Sequence, residues 1–325
     1  MGFTAYGEVK NMARISVLVN DKTSKVVVKR DKLTNKKYIV KSLYKIHIDD
    51  EDLIEFDGSM IPHEINNINT LSGLTGFAKV VTIFNLPKKY VVITHFLEGY
   101  ETLFEYSKSK LTEMKCKTII NRIIELKEVM DTKAIFHGDL KSDNIMINEA
   151  GNIVIIDFGS SKPMSEAYKD LLHNDLWGTP EYVKNGNVLH DPYYVWVITL
   201  LAYEMVVGNY AFDSIKEIED ETLPNIPFNV SAKFTDFIRR GLEKEVENRM
   251  KFVDIKQSPW LSRKNATHRL KNAKSKAKYN LAFKSENLPP NGIKIDEEVS
   301  AILIPVSSWV ENIYFLFINE RNTFT

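Results

Sequence analysis

A second cysteine is missing from this 325-residue chain. Cys116 stands alone, so the chain can form no internal disulfide and no cysteine-rich zinc site; this usage suits a reducing compartment. Cys116 falls within an amphipathic helical pattern, which makes it a packed thiol. An excess of either charge is missing too: Lys and Arg total 43, and Asp and Glu total 43. That balance disfavours nucleic-acid binding as the main function, and any electrostatic preference has to be local. Long apolar runs are absent. The most apolar stretch, "VWVITLLAYEMVVG" (195–208), is too short for a membrane span and carries Glu204, so it reads as a buried core helix. The first residues, "MGFTAYGEVKNM", lack the basic start and apolar stretch of a signal peptide. No internal repeat is visible. What these absences leave is a globular protein, expected to be intracellular (cytoplasm or nucleus) and without a membrane partner. Its hydrophobic content of 44% and its length suit two compact lobes.

The pattern along the chain divides in the same way. Short β-branched runs at 15–19, 25–30 and 36–43, then at 78–84 and 90–96, predict five strands. A polar, acidic stretch at 49–57 precedes a helix expected around "HEINNINTL" (63–71). After residue 97 the period changes. "TEMKCKTIINRIIELKEVM" (112–130) puts Met114, Ile119, Ile120, Ile123, Ile124 and Leu126 on one broad helical face. "NIMIN" and "NIVIID" around Glu149-Ala150-Gly151 predict a hairpin. From Tyr193 to about Trp260 the reading is mostly helical. The expected fold class is α+β, with a small β-rich lobe followed by a larger helical one.

The chemistry-bearing residues are concentrated in "HGDLKSDN" (137–144), "IDFG" (156–159) and "YIVK" (38–41). With "GTPEY" (178–182), "ENRM" (247–250) and "SPW" (258–260), these motifs resemble a eukaryotic protein kinase of Ser/Thr type from about residue 15 to 262. The resemblance implies a bilobal kinase-like fold: an N-terminal extension at 1–14, an N-lobe at 15–96 and a C-lobe at 97–262. A basic linker and apolar tail follow at 263–325. It implies ATP as substrate with Mg²⁺, or Mn²⁺ in its place, and a chemistry of positioning and charge balance.

Under that resemblance Lys41 holds the α- and β-phosphates and Glu64 holds Lys41. Asp139 orients the substrate hydroxyl and accepts its proton, and Lys141 sits beside the transferring phosphate. Asn144 and Asp157 supply hard oxygen ligands to the metal. His137 and Phe158 are expected to pack. The nucleotide would be bordered by Val19, Asp21, Ser24 and Val26, and by Thr94, His95, Leu97 and Glu101 of "ITHFLEGYETLF". Two registers compete downstream: either 178–182 align with the family's "GTPEY", or Thr179-Pro180-Glu181 stand in for its "APE". The second keeps the usual spacing and pairs Glu181 with Arg249.

Three positions depart from the family pattern. Val19, Asp21 and Ser24 occupy the glycine positions of the phosphate-covering loop, where glycine permits close backbone approach. Gly138 replaces an arginine that pairs with a phosphorylated activation loop. Tyr194 replaces an aspartate that caps the catalytic-loop backbone. These changes keep two alternatives open: a pseudokinase or scaffold that binds a partner without catalysis, and a small-molecule phosphotransferase with an HGDxxxxN-type site. Protein substrates with basic residues near the acceptor are expected from Glu101, Asp143 and Glu204. An acidic or nucleic-acid partner is the functional reading of the basic run at 263–284, against a solvated linker. The apolar end at 299–317 is expected to pack onto a lobe.

Overall fold

The computed structural model describes residues 6–56, 58–165, 167–169, 176–220 and 223–262, together with the backbone of 300–305 and 314–319. The basic run at 263–284 lies outside the described residues.

A short helix, α1 (Tyr6–Asn11), leads into three antiparallel strands, β1 (Ala13–Asn20), β2 (Ser24–Arg30) and β3 (Lys37–Tyr44). A small hairpin of β4 (Leu53–Phe56) and β5 (Ser59–Pro62) runs into α2 (His63–Leu71), and β6 (Val80–Leu86) and β7 (Lys89–His95) follow. The strands order as β1-β2-β3-β7-β6. Valines at 26, 27 and 28 and isoleucines on β7 suit a pleated, largely buried surface.

The central strands β3, β7 and β6 are buried on both faces, while the edge strand β1 stays largely exposed. On one, Leu43, Val80, Ile83 and Val92 pack against Ile61 and Ile65, at the start of α2. On the other, Val27, Tyr38, Val40, Phe84 and Val91 pack against Val9 and Met12 at the chain's beginning. The N-terminal residues therefore contribute to the small lobe's core through α1, which the pattern analysis did not foresee. Strands β4 and β5 are also unexpected: β4 lies in the acidic stretch at 49–57, and β5 fills the gap between it and the helix.

The large lobe begins with β8 (Tyr100–Thr102), α3 (Leu103–Ser107) and α4 (Glu113–Thr132). Thr112 caps α4 by accepting from the Lys115 amide at 3.3 Å. Ile119, Ile120, Ile123, Ile124 and Leu126 are buried along α4 as expected. Met114 is not; it lies 73% exposed at the first turn, before the buried stripe begins. Cys116 is fully buried, with its thiol pushed well up by burial.

After α4 come β9 (Ile135–Phe136), β10 (Ile145–Asn148), β11 (Ile153–Ile155), β12 (Lys162–Pro163) and β13 (Ala167–Lys169). Then follow α5 (Pro180–Asn185), β14 (Asn187–Leu189), α6 (His190–Val207), α7 (Ile215–Glu219), α8 (Ala232–Gly241) and α9 (Phe252–Ile255). Almost every side chain of α6 is buried, so it forms the axis of the lobe, flanked by α4 and α8. No helix of the described residues is long and apolar enough to cross a membrane.

Two features join the lobes near the site. Phe77 bridges Ile155, and the Ile155 amide donates to the Gly76 carbonyl at 2.9 Å. At the far edge, β15 (Ser300–Pro305) pairs with β16 (Tyr314–Asn319), and β16 lies parallel to β6. That backbone pairing sets the end of the chain against the small lobe.

Candidate active site

The loop between β9 and β10 carries the first cluster. Gly138 has φ 78°, and a Cβ placed on it would lie 2.1 Å from the Ser160 carbonyl oxygen. Glycine is thus required by close backbone approach as well as by the left-handed conformation. The loop's neighbours are fixed by hydrogen bonds. The Asp139 amide donates to His137 Nδ1 at 3.2 Å, so the ring proton sits on Nε2 and is donated to the Ile156 carbonyl at 3.1 Å. One imidazole therefore ties the Asp139 backbone to the residue preceding Asp157. Phe158 packs 4.8 Å from the same ring.

Asp139 faces Lys141 and Asn144. Its Oδ1 lies 3.1 Å from Lys141 Nζ, and its Oδ2 accepts from Asn144 Nδ2 at 3.0 Å. Asn144 Nδ2 also donates to the Asp139 carbonyl at 2.8 Å, which turns its Oδ1 away as an acceptor. This places a carboxylate, an ammonium and an amide oxygen within one turn of chain.

The loop is supported from α6. The His137 amide donates to Tyr194 Oη at 3.0 Å, and the Leu140 amide donates to Tyr193 Oη at 2.8 Å. The reading of Tyr194 as a lost cap is therefore corrected: its phenol oxygen accepts the backbone bond, and Tyr193 supplies a second. Nothing in the sequence marks Tyr193, and only the packing of the pair under the loop shows the hydroxyls' use. Tyr194→Phe should leave a buried amide without a partner and cost about 1–3 kcal/mol of stability. Chemical denaturation would check this; an unchanged midpoint would mean the hydroxyl is not what holds the loop.

The second cluster spans the lobes. Lys41 Nζ on β3 lies 2.5 Å from Glu64 Oε1 on α2 and 2.8 Å from Asp157 Oδ1. Burial works against the charge on Lys41, but the Glu64 and Asp157 carboxylates outweigh it and raise the ammonium's pKa. Burial also presses Asp157 upward, and Lys41 outweighs it to hold that carboxyl below the usual range. Glu64 is enclosed, and burial pushes it up against the pull of Lys41. Asp157 adopts φ 59°, an uncommon left-handed conformation for a non-glycine residue. Phe158 is buried, 6.4 Å from Phe77.

Two residues that sequence reading passed over reinforce this cluster. Asn67 Nδ2 on α2 donates to Ser161 Oγ at 2.9 Å, and Ser161 Oγ donates to the Phe158 carbonyl at 2.6 Å. Asn67 is a polar residue inside α2, and Ser161 lies just beyond "IDFG". Further out, Lys162 pairs with Asp52 ahead of β4.

The residues named for the nucleotide side fall on β1, β2, the turn between them, β7, the segment after it and β8. Val26 sits opposite Lys41, with Val19 opposite Val26 on β1. Ser24 begins β2, and Asp21 lies in the tight turn before it. Thr94 is buried on β7. The amides of His95 and Phe96 are committed to the Lys79 and Lys37 carbonyls at 3.1 and 3.3 Å. The Leu97 carbonyl accepts from the Tyr100 amide at 3.3 Å, and Glu101 is exposed on β8.

Below the site, Thr179 caps α5 and Glu181 lies in its first turn. Arg249 grips Glu181 with two bonds, Nη1 to Oε1 at 3.0 Å and Nη2 to Oε2 at 2.8 Å. This geometry favours the register in which Thr179-Pro180-Glu181 is the "APE" equivalent. Where the described part of the segment leaves Asp157, Tyr168 stacks on Phe136 at 4.0 Å.

A strand-rich lobe over a helical one, joined around these two clusters, is the architecture of a kinase-type phosphotransferase. The chain belongs to the protein kinase domain family, whose profile matches residues 18–261. Among similar proteins is the serine/threonine-protein kinase ppk6 of Schizosaccharomyces pombe, 25% identical over 80% of this chain and 32% of its own length. Serine/threonine-protein kinase pim-2 of Danio rerio is 25% identical over 62% of this chain and 68% of its own. Serine/threonine-protein kinase kin-29 of Caenorhabditis elegans is 26% identical over 73% and 29%. The chain thus spans only about a third of ppk6 and kin-29.

Proposed function

We propose that this chain transfers the γ-phosphoryl group of ATP to serine or threonine hydroxyls of protein substrates inside the cell. The observation that carries the reading is the joining of Asp139, Lys141 and Asn144 to Lys41, Glu64 and Asp157 through His137 and Phe158. In protein kinases a lysine–glutamate pair and a metal-holding aspartate must be in place together for transfer. Here Lys41 makes both contacts.

Each residue then has a task. Lys41, kept charged by two carboxylates, holds the α- and β-phosphates. Asp139 orients the acceptor hydroxyl and takes its proton as the new oxygen–phosphorus bond forms and ADP leaves. Lys141 balances charge on the moving group. The donor set fits Mg²⁺, which typically takes one or two protein oxygens and completes its shell with phosphate and water. Asp157 and the Asn144 amide oxygen would hold it. When bound, the metal neutralises phosphate charge. The segment between β7 and β8 would offer adenine the Leu97 amide and backbone carbonyls, since the neighbouring amides are committed. Thr94 closes the inner end of that pocket, and Glu101 reaches ribose or a basic side chain of the substrate.

The preference for basic residues near the acceptor draws support from Glu204 on α6. This residue is 4% exposed, and neither carboxylate oxygen has a hydrogen-bond partner among the described residues. Burial pushes its pKa up to about 7; nearby Ser142 offsets part of this without a well-formed bond, and Asp143 adds to it. An arginine or lysine from a substrate would supply the missing partner. Asp143 and Glu101 are exposed and add negative charge to the large lobe's first elements. A positional peptide library with phosphoamino-acid analysis tests both parts. Serine or threonine labelling enriched by upstream Arg or Lys is expected, and indifference to basic residues would remove the preference.

Glu204 also carries a pH signature. The folded protein retains a proton between about pH 4.5 and 7 that the unfolded chain releases, so this group's contribution falls as pH rises through that window. The full loss is about 3 kcal/mol. Glu204→Gln should therefore be more stable than wild type at pH 8 and indistinguishable from it near pH 4. Equal melting temperatures at pH 8 would contradict the uncompensated burial of this carboxylate.

One observation favours the scaffold reading: in the turn that would cover the phosphates, the Thr23 and Ser24 amides are already occupied.

A further inference from the structure

The turn between β1 and β2 closes on itself around one carboxylate. The Asp21 amide donates to the Ser24 carbonyl at 3.0 Å, which draws the turn tight. Asp21 Oδ1 then accepts from the Thr23 amide at 2.8 Å, the Ser24 amide at 2.7 Å and Thr23 Oγ1 at 2.8 Å. Oδ2 accepts from Ser24 Oγ at 3.4 Å. Successive amides converging on one oxygen form the kind of concavity that binds anions in other proteins. Here the anion is part of the chain. The Thr23 carbonyl accepts from the Tyr44 amide at 3.0 Å, so the turn is fastened to the end of β3, the strand that carries Lys41.

Asp21 is exposed, and its carboxyl is held below the usual range first by the Ser24 amide and next by the Thr23 hydroxyl. It is therefore ionised at any physiological pH. A phosphate group arriving beneath the turn would want these donors and would meet a negative charge already on them.

We propose that Asp21 is an internal competitor of the nucleotide's phosphates: its carboxylate fills the amide nest of the β1–β2 turn, and the loop can grip ATP only when Asp21 leaves. The inference rests on the nucleotide site proposed above. It goes beyond that site in assigning to one residue the control of phosphate affinity. Without the turn's amides, the phosphates are left to Lys41 and the metal. Asp21 is a positioning residue, since it acts through the amides it occupies.

The test measures binding of adenosine, ADP and ATP, the nucleotides with Mg²⁺, to the full chain by calorimetry. Wild type is compared with Asp21→Ala and Asp21→Asn. Adenosine affinity should be the same in all three. ATP should bind Asp21→Ala about tenfold more tightly than wild type, the gain expected when an amide is freed for a charged acceptor. ADP should gain less. Asp21→Asn keeps an acceptor oxygen on the amides but loses the charge, so its gain should fall between the two. A purely structural role for the turn would not scale with the number of phosphates. Adenosine binding combined with ATP affinity that is unchanged or weaker in Asp21→Ala would overturn the inference while leaving the nucleotide site standing. If none of the three proteins binds adenosine or ATP, the nucleotide site fails and the inference goes with it.

Discussion

Asp139→Asn is expected to fold normally and to lose about 10²–10⁴-fold in phosphoryl transfer, the range associated with a positioned general base. The substitution is isosteric, so Asn144 keeps its backbone bond to residue 139 at 2.8 Å and the His137 bridge stays intact. What disappears is a carboxylate able to accept the hydroxyl proton. The ion pair with Lys141 is partly exposed, and pairs of that kind contribute little to stability. The check is a pair of measurements on the same preparation: transfer rate and thermal midpoint. Loss of rate with an unchanged midpoint is the expected pairing. Full activity in the variant would mean that Asp139 only shapes the loop.

The largest expected effect on stability is at Arg249. Its side chain is 1% exposed and that of its partner Glu181 is 12% exposed. Besides both carboxylate oxygens, the guanidinium reaches the carbonyls of Glu243, Pro192 and Lys244, and it lies 5.0 Å from the Trp196 ring. Arg249→Leu strands Glu181 and three carbonyls in a nearly dry site, which should cost about 3–5 kcal/mol. Replacing both partners with apolar residues should recover much of that loss, because the stranded charge goes with the arginine. Denaturant titrations of the single and double variants check this. A single variant with wild-type stability would show that water reaches the pair.

Much of this architecture was readable from residue pattern, because each legible part rests on local chemistry. The helix at His63–Leu71 follows a proline and spaces Ile65, Ile68 and Leu71 three residues apart. The β10–β11 hairpin turns at a glycine with φ 79°. Helix α6 is apolar all round, which leaves it nowhere to go but the core. The Glu181–Arg249 pair follows once the alignment to a kinase is made, and so does the approach of Lys41 to Glu64.

The parts that were not legible depend on distant packing. Helix α1 has six residues, too few to show a period, and only Val9 and Met12 betray its burial. The β4–β5 hairpin hides beside four acids in a row, Asp49 to Asp52. Tyr193 and Tyr194 look like two more aromatics on a hydrophobic helix; their hydroxyls matter because the catalytic loop lies above them. Asp21 stands in sequence only as a residue at a glycine position of the phosphate-covering loop. Aspartate two residues before a threonine amide is also a common turn-former, and the side chain takes that option. The small-molecule phosphotransferase alternative loses ground to the match across residues 18–261.

The central claim is that two clusters joined through His137 form a working phosphoryl-transfer site despite a loop without glycines. The most direct measurement follows γ-labelled phosphate from ATP to a serine/threonine peptide with basic residues, using the full chain with Mg²⁺ and again with the metal chelated. The account predicts metal-dependent label on the peptide. Absence of label under both conditions, from protein that binds adenosine and melts cooperatively, would contradict it and leave the fold as a binding scaffold.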